Sequence, residues 1–144
     1  MPKIDHVVEV LVPRNKLFEI STDFENYPKI LPNFKTVKIL SKDNNVVITE
    51  DEISIMNHFS IQKAKHTLEK PHKHTVEILS GEAQGSNIEQ IFEETQNGTK
   101  VIIKADFKLK GKLKLISFAI KNKFKLGLES AIYEFADYIE ANKN

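Results

Sequence analysis

Residues 97–139 read NGTKVIIKADFKLKGKLKLISFAIKNKFKLGLESAIYEFADYI and contain the change of pattern that decides the fold. Asn97-Gly98 is a strong signal for a tight hairpin between two strands. Beyond it, apolar residues recur at every second position, which is typical of a strand with one buried face: Val101, Ile103, Ala105, Phe107 and Leu109. After Gly111 they recur with helical spacing: Leu128, Ala131, Ile132, Phe135, Ala136 and Ile139. The stretch therefore predicts the last strand of an antiparallel sheet and one long amphipathic helix that covers it.

The chain upstream of this stretch predicts one strand, two short helices and more strands. Residues 4–12 alternate as a strand, and Pro13 suits the first turn of a helix that contains Leu17 and Phe18. Asp23 can cap a second short helix that ends near Leu31. Period-two patterns then predict strands at 34–40, 46–56, 59–68, 75–79, 88–94 and 100–109. The fold class is therefore α+β, a single domain over residues 1–144 with a curved antiparallel sheet of about seven strands.

The terminal helix has consequences for the interior. A straight helix over 113–141 would be about 43 Å long, whereas a domain of this length is about 35–40 Å across. We therefore expect the helix to break, bend or overhang, with Gly127 either as the soft point or as a tolerated surface glycine. One helix about 10 Å wide does not fill the concavity of a seven-stranded sheet, so an internal pocket is expected between them.

Composition excludes several classes of function. The 144 residues include no Cys, which excludes disulfides, thiolate metal sites and a cysteine nucleophile. No apolar run approaches a membrane span and the start has no signal-peptide core, so we expect a cytoplasmic protein. A net charge of +1 and a single Arg, Arg14, argue against DNA binding. Nucleophile elbows and phosphate loops are absent, and we assign no catalytic residue, metal or cofactor.

The stretch VPRNKLFEISTDFENYPKILPNFKTVKIL (12–40) resembles the opening of START-like (SRPBCC) helix-grip proteins. The features that match are Pro13 after a strand, Leu17-Phe18 in the first helix, Tyr27-Pro28 and Pro32, together with Gly98-Thr99 before the last strand. This superfamily includes polyketide cyclase/dehydratases, coenzyme-Q-binding proteins, birch-pollen allergens and lipid-transfer domains. The resemblance covers essentially the whole chain. It implies a helix-grip fold with a hydrophobic ligand cavity between the sheet and the terminal helix.

The function that this resemblance implies is binding, transport or shielding of a hydrophobic small molecule such as a lipid, isoprenoid, quinone or polyketide-like compound. An alternative is a cyclase/dehydratase that uses a buried carboxylate or His. A third is a ribosome- or protein-associated regulatory module that uses a lysine-rich surface. The expected cavity wall is apolar and includes Phe18, Tyr27, Phe92, Ile103, Phe107, Phe118, Phe124 and Leu128. Apolar stripes are also typical of plain core packing, so each residue stays open between core and wall.

Four polar side chains are candidates for the inward face. His6 and Gln90 share the apolar parity of their strands, and Glu50 and Glu52 share the parity of Val46. A buried carboxylate would have a raised pKa and act as an acid or base. The alternative is that strand ends or register leave these groups in water. The segment His72-x-His74, with His66 nearby, lacks a third ligand at characteristic spacing and reads as a solvated turn, so no metal site is predicted.

Lysines crowd the segment between the last strand and the terminal helix. Basic residues beside exposed apolar ones can dock on anionic membranes, and we expect Lys108, Lys112, Lys121 and Lys125 to form such a surface. A solvated rim is the plain alternative, and RNA or a ribosome is a weaker one because the near-neutral chain predicts weak binding. We expect the pocket to open through the segment 111–124.

Overall fold

The computed structural model describes residues 3–55, 57–115 and 117–143. Seven strands form one sheet in the order β1-β7-β6-β5-β4-β3-β2, with every neighbouring pair antiparallel. The strands are β1 (Lys3–Val10), β2 (Phe34–Asp43), β3 (Val46–Ile55), β4 (His58–Glu69), β5 (Lys73–Ile78), β6 (Asn87–Glu94) and β7 (Thr99–Asp106). The helices are α1 (Arg14–Ser21), α2 (Tyr27–Ile30), α3 (Gly111–Leu115) and α4 (Ser117–Ala141), with a 3-10 helix at Phe24–Asn26. The predicted α+β helix-grip fold is confirmed.

Local chemistry explains the two turns at either end of β3. Asn44 and Asn57 have positive φ, 54° and 66°, a conformation that Asn adopts more readily than most residues. Asn57 therefore makes the β3–β4 turn, which no Gly or Pro marks in the sequence.

At the start of β7 a Cβ on Gly98 would collide with the carbonyl of Val10, and the Thr99 hydroxyl donates to the Val12 carbonyl at 2.7 Å. The Gly98-Thr99 pair therefore holds the start of β7 close to the end of β1.

The core has a large cluster and a smaller one at opposite ends of the concave face, and a third cluster of Ala64, Val76 and Ile78 on β4 and β5. The large cluster joins β1, β6 and β7 to α1, α2 and the second half of α4, where Ile132 and Phe135 are buried. The smaller one lies near the start of β1 and the end of β7, and there the Phe107 and Phe124 rings stack at 4.5 Å. The helix α4 packs chiefly against β1, α1 and α2. It therefore does not cover the inward side of β3, β4 and β5.

Gly127 is a surface glycine of the terminal helix. This residue lies inside α4, which runs continuously from Ser117 to Ala141. A Cβ added to Gly127 would meet nothing within 4 Å. The helix does not break at Gly127, which agrees with the alternative of a tolerated surface glycine: an exposed glycine costs only about 1 kcal/mol of helix propensity, and the packed second half of the helix offsets this cost. Upstream, the described residues form α3 as far as Leu115 and α4 from Ser117. Among the described residues, no helix is long and apolar enough to cross a membrane.

Candidate functional site

The predicted wall residues divide between the two ends of the concave face. Phe18, Tyr27, Phe92 and Ile103 are buried in the large cluster, where Phe18 meets Phe92 edge-to-face at 5.3 Å. Phe107, Phe124 and Leu128 belong to the smaller cluster. The side chain of Phe118 lies outside the described residues. Apolar side chains also cover the middle strands between these groups: Ile53, Ala64, Val76, Ile78 and, half-buried, Ile55 and Ile88.

A row of buried polar side chains crosses the middle of this apolar face. His66 is hydrogen-bonded to the Thr49 hydroxyl at 3.1 Å and to His74 at 2.9 Å, which links β3, β4 and β5. Gln90 lies opposite His74 on β6. The amide of Gln62 donates to the Asp51 carboxylate at 3.3 Å. Thr49, Asp51, Gln62, His66, His74 and Gln90 are all buried, and we call these six residues the polar row.

The two histidines of the polar row are neutral at physiological pH. Burial lowers the pKa of His66 well below its usual value, and the neighbouring His74 lowers it further. Burial also lowers the pKa of His74 to about 4, against a smaller opposing effect of a hydrogen bond with the Gln90 side chain. A neutral imidazole has one donor and one acceptor nitrogen, so the His66–His74 bond joins a donor to an acceptor.

One nitrogen of the polar row makes no hydrogen bond of normal length and angle. This atom is His74 Nδ1, and the Gln90 side chain on the paired position is near enough to raise the pKa of His74. A buried polar atom without a partner costs about 1–3 kcal/mol, and such atoms are uncommon in folded proteins. His74 Nδ1 is therefore the atom of the polar row whose hydrogen bonding is incomplete.

Two aromatic side chains, Phe24 and Tyr27, cover one side of the polar row. The Phe24 ring stacks on His66 with a centroid distance of 3.9 Å and lies 5.5 Å from His74. Tyr27 contacts Phe24 edge-to-face at 5.5 Å, and its hydroxyl donates to the Ser21 carbonyl. Burial raises the pKa of Tyr27 above its usual value. Within the polar row, Gln62 and Gln90 are the most accessible side chains, at 9% and 8% exposure against 0% for Thr49.

The buried carboxylate of β3 is Asp51, and the inward placement of Glu52 and Glu50 is wrong. Asp51 is 3% exposed, and burial raises the pKa of its carboxyl. Glu52 lies on the other face of the strand, where it accepts a hydrogen bond from Thr36 at 3.1 Å. The sequence pattern is ambiguous here because Val46, Val47 and Ile48 are apolar on both faces of the strand.

The other polar candidates are His6, Gln90, His72 and His74. His6 is on the inward side of β1, as predicted, but its ring pairs with Glu129 of α4. Gln90 is inward and buried, also as predicted. The turn reading of 72–74 is wrong for His74, because β5 already begins at Lys73, while exposed His72 lies 3.4 Å from Arg14. Within the described residues, no three His, Cys, Asp or Glu side chains converge on a metal-sized site.

Two surface clefts lie outside the concave face. One of about 570 Å³ is lined by Gln84, Gly85, Lys108, Leu109, Lys110, Gly111 and Lys114. It adjoins the β5–β6 loop, where the Glu82 side chain pairs with His58 and the Glu82 carbonyl accepts from the Lys110 amide at 2.7 Å. The other, of about 550 Å³, lies between the start of α1, the 94–98 turn and the end of α4.

Known proteins with this fold include a bacterial cyclase. The Zhui aromatase/cyclase from Streptomyces sp. R1128 is 14% identical, with a TM-score of 0.83 over 95% of this chain and 94% of that one. The Thermus thermophilus protein TTHA0849 is 11% identical, with a TM-score of 0.88 over 99% and 100% of the chains. A START superfamily protein from Mycobacterium smegmatis is 15% identical, with a TM-score of 0.74 over 93% and 99%.

At these identities the solved structures establish the fold alone, and no curated protein matches the chain. The sequence itself matches a family model over residues 10–136, which include six of the seven strands and most of α4. The chain therefore belongs to the family described as polyketide cyclase / dehydrase and lipid transport.

Proposed function

We propose that this protein binds a hydrophobic small molecule, such as a lipid, an isoprenoid or quinone, or a polyketide-like compound, between the sheet and α4. The observation that carries the proposal is the polar row set in an apolar face, where His74 Nδ1 makes no hydrogen bond of normal geometry and Gln90 is its polar neighbour. Burial of apolar ligand surface supplies roughly 25 cal/mol per Å². One or two polar groups then fix the ligand's orientation.

Native mass spectrometry of the purified protein, with organic extraction of anything released, tests this proposal. We expect a copurified apolar compound, or a mass shift after incubation with a panel of lipids, quinones and aromatic polyketones. A bare protein mass under all these conditions would contradict it. His74→Phe removes the polar anchor and should weaken binding, whereas His72→Phe, two residues away on the exposed side, is the matched control.

A second candidate function is cyclisation or dehydration catalysed by Asp51. A buried carboxyl with a raised pKa, beside a Gln amide, is suited to give and take a proton. Asp51→Asn should abolish loss of water from a synthetic poly-β-ketone, followed by mass spectrometry, while ligand binding is retained. Glu52→Gln, on the outer face of the same strand, should leave turnover unchanged. Equal turnover in wild type and Asp51→Asn would exclude this function.

We also propose that the ligand is exchanged at an anionic membrane. Residues 107–128 contain seven Lys and no acidic residue, which leaves 14 basic and 20 acidic residues elsewhere, a net charge of −6. We call Lys108, Lys110, Lys112, Lys114, Lys121, Lys123 and Lys125 the lysine surface. Within the part of the chain that the structure describes, no lysine of this surface forms a salt bridge. Leu115 and Leu126 protrude among them at 85% and 59% exposure.

Vesicle sedimentation tests the membrane proposal. We expect binding to phosphatidylglycerol-containing vesicles but not to pure phosphatidylcholine. Each Lys near an anionic surface contributes about 1 kcal/mol, so Lys112→Glu with Lys114→Glu should weaken binding by at least about tenfold. Lys38→Glu with Lys42→Glu on β2 changes the net charge equally and is the control. Retention of single-stranded RNA without vesicle binding would contradict the proposal and favour a ribosome-associated role.

A further inference from the structure

No Lys or Arg side chain is buried in the interior of the helix grip. All 21 basic residues are exposed or half-buried. Five basic residues are half-buried. Lys73 pairs with Glu69 and Glu89, and Lys100 pairs with Glu93, all outside the concave face. Lys65 lies on the outer face of β4, between inward Ala64 and His66, and Lys125 belongs to the lysine surface of α4. Arg14 pairs with Glu94 at 2.9 Å at the start of α1. None of the residues outside the described ranges is Lys or Arg, so the missing cation is a property of the whole sequence.

The groups that line the middle of the interior are neutral donors and acceptors, apart from the Asp51 carboxyl, and at its β1 edge His6 is already paired with Glu129 of α4. The two glutamines and the threonine of the polar row carry no charge, and burial keeps His66 and His74 neutral. Asp51 is the one acidic member, and in its ionised form it would repel a second anion. An ionised ligand group without a counterion is far more costly to bury than a neutral one that finds a hydrogen bond.

We propose that the site selects ligands whose buried end carries an uncharged oxygen, as in a ketone, quinone or alcohol, and rejects a buried carboxylate or phosphate. This inference rests on the proposed ligand binding and narrows its substrate class. The neutral oxygen meets Gln62 and Gln90 first, because they are the most accessible members of the polar row. A hydroxyl can also partner His74 Nδ1, whichever way the imidazole chain is oriented, since it both donates and accepts.

Gln90 is the residue at which this selectivity can be reversed. It lies opposite His74 on the neighbouring strand, and its side chain is inward. Lys at this position would place a cation beside His74 and offer a carboxylate the counterion that the wild-type interior lacks. Met is the matched control, because it has a similar length and no charge or strong hydrogen-bonding group.

Displacement of the neutral fluorescent probe N-phenyl-1-naphthylamine tests the proposal, with 2-dodecanone and dodecanoate as competitors of equal chain length at neutral pH. In the wild type we expect the ketone to displace the probe at a concentration at least about tenfold lower than dodecanoate, which corresponds to about 1.4 kcal/mol. In Gln90→Lys the ratio should shift at least about tenfold toward dodecanoate. In Gln90→Met ketone affinity should fall without a gain for dodecanoate.

Equal displacement by the two compounds in the wild type would overturn the selectivity, as would an unchanged ratio in a folded Gln90→Lys protein. The wild-type ratio is decisive even where circular dichroism shows that Gln90→Lys does not fold. Failure of the underlying ligand binding looks different, because neither the probe nor either competitor would then bind.

Discussion

The two halves of α4 have opposite environments, although one continuous helix carries both. In the second half Ile132 and Phe135 are 0% and 2% exposed and pack on β1, α1 and α2. In the first half Lys121 and Lys123 are exposed, and among the described side chains Phe124 and Leu128 turn toward the sheet. One half of the helix therefore holds the fold together, and the other lies over the end of the concave face beside the lysine surface.

Replacing one phenylalanine by alanine in each half of α4 should give the largest difference in stability between the two halves. Phe135→Ala removes a ring buried in the large cluster and should lower the free energy of unfolding by about 3–5 kcal/mol. Phe124→Ala removes a half-buried ring that stacks on Phe107 and should cost about half as much. Urea denaturation monitored by circular dichroism measures both. Equal costs would show that the two halves contribute equally to the fold.

The polar row between these regions predicts a loss of stability in acid. The lowered folded-state pKa of His74, about 4 against 6.5 unfolded, means that its contribution is present above pH 6.5 and is lost as the pH falls toward 4. The contribution is on the order of 3 kcal/mol.

His74→Gln should therefore reduce the pH dependence of the free energy of unfolding between pH 6.5 and 4. Exposed His72→Gln should leave the wild-type slope unchanged. Chemical denaturation at a series of pH values gives both slopes, and identical slopes in His74→Gln and wild type would mean that His74 is not buried as a neutral group.

Substitution of Gly127 should have the smallest effect on stability, and this effect should be a stabilisation. Because nothing lies within 4 Å of a Cβ at this position, Gly127→Ala should raise helix propensity without a clash. The expected stabilisation is about 0.5–1 kcal/mol, measured as a higher Tm by calorimetry. Unchanged or lowered stability would indicate that the first half of α4 needs the flexibility of glycine.

Periodicity in the sequence was sufficient for the fold but not for the polar row. The succession of strands along the chain and the terminal helix follow from alternating and helical patterns such as those in 101–109 and 128–139. The inward carboxylate was misassigned because residues 46–48 are apolar on both faces of β3. His74 was missed because it directly follows a polar turn, and its partner His66 is eight residues away on another strand, so only the β4–β5 register brings them together.

A ¹H–¹⁵N correlation titration of the protein with 2-dodecanone tests ligand binding inside the grip most directly, because Gln62 and Gln90 each give side-chain amide signals. We predict saturable shifts of both amides, together with backbone shifts around Phe124 and Leu128 in the first half of α4. Shifts confined to the outer sheet face, to the lysine surface or to the cleft at the start of α1, with the Gln62 and Gln90 amides unmoved, would contradict binding between the sheet and α4.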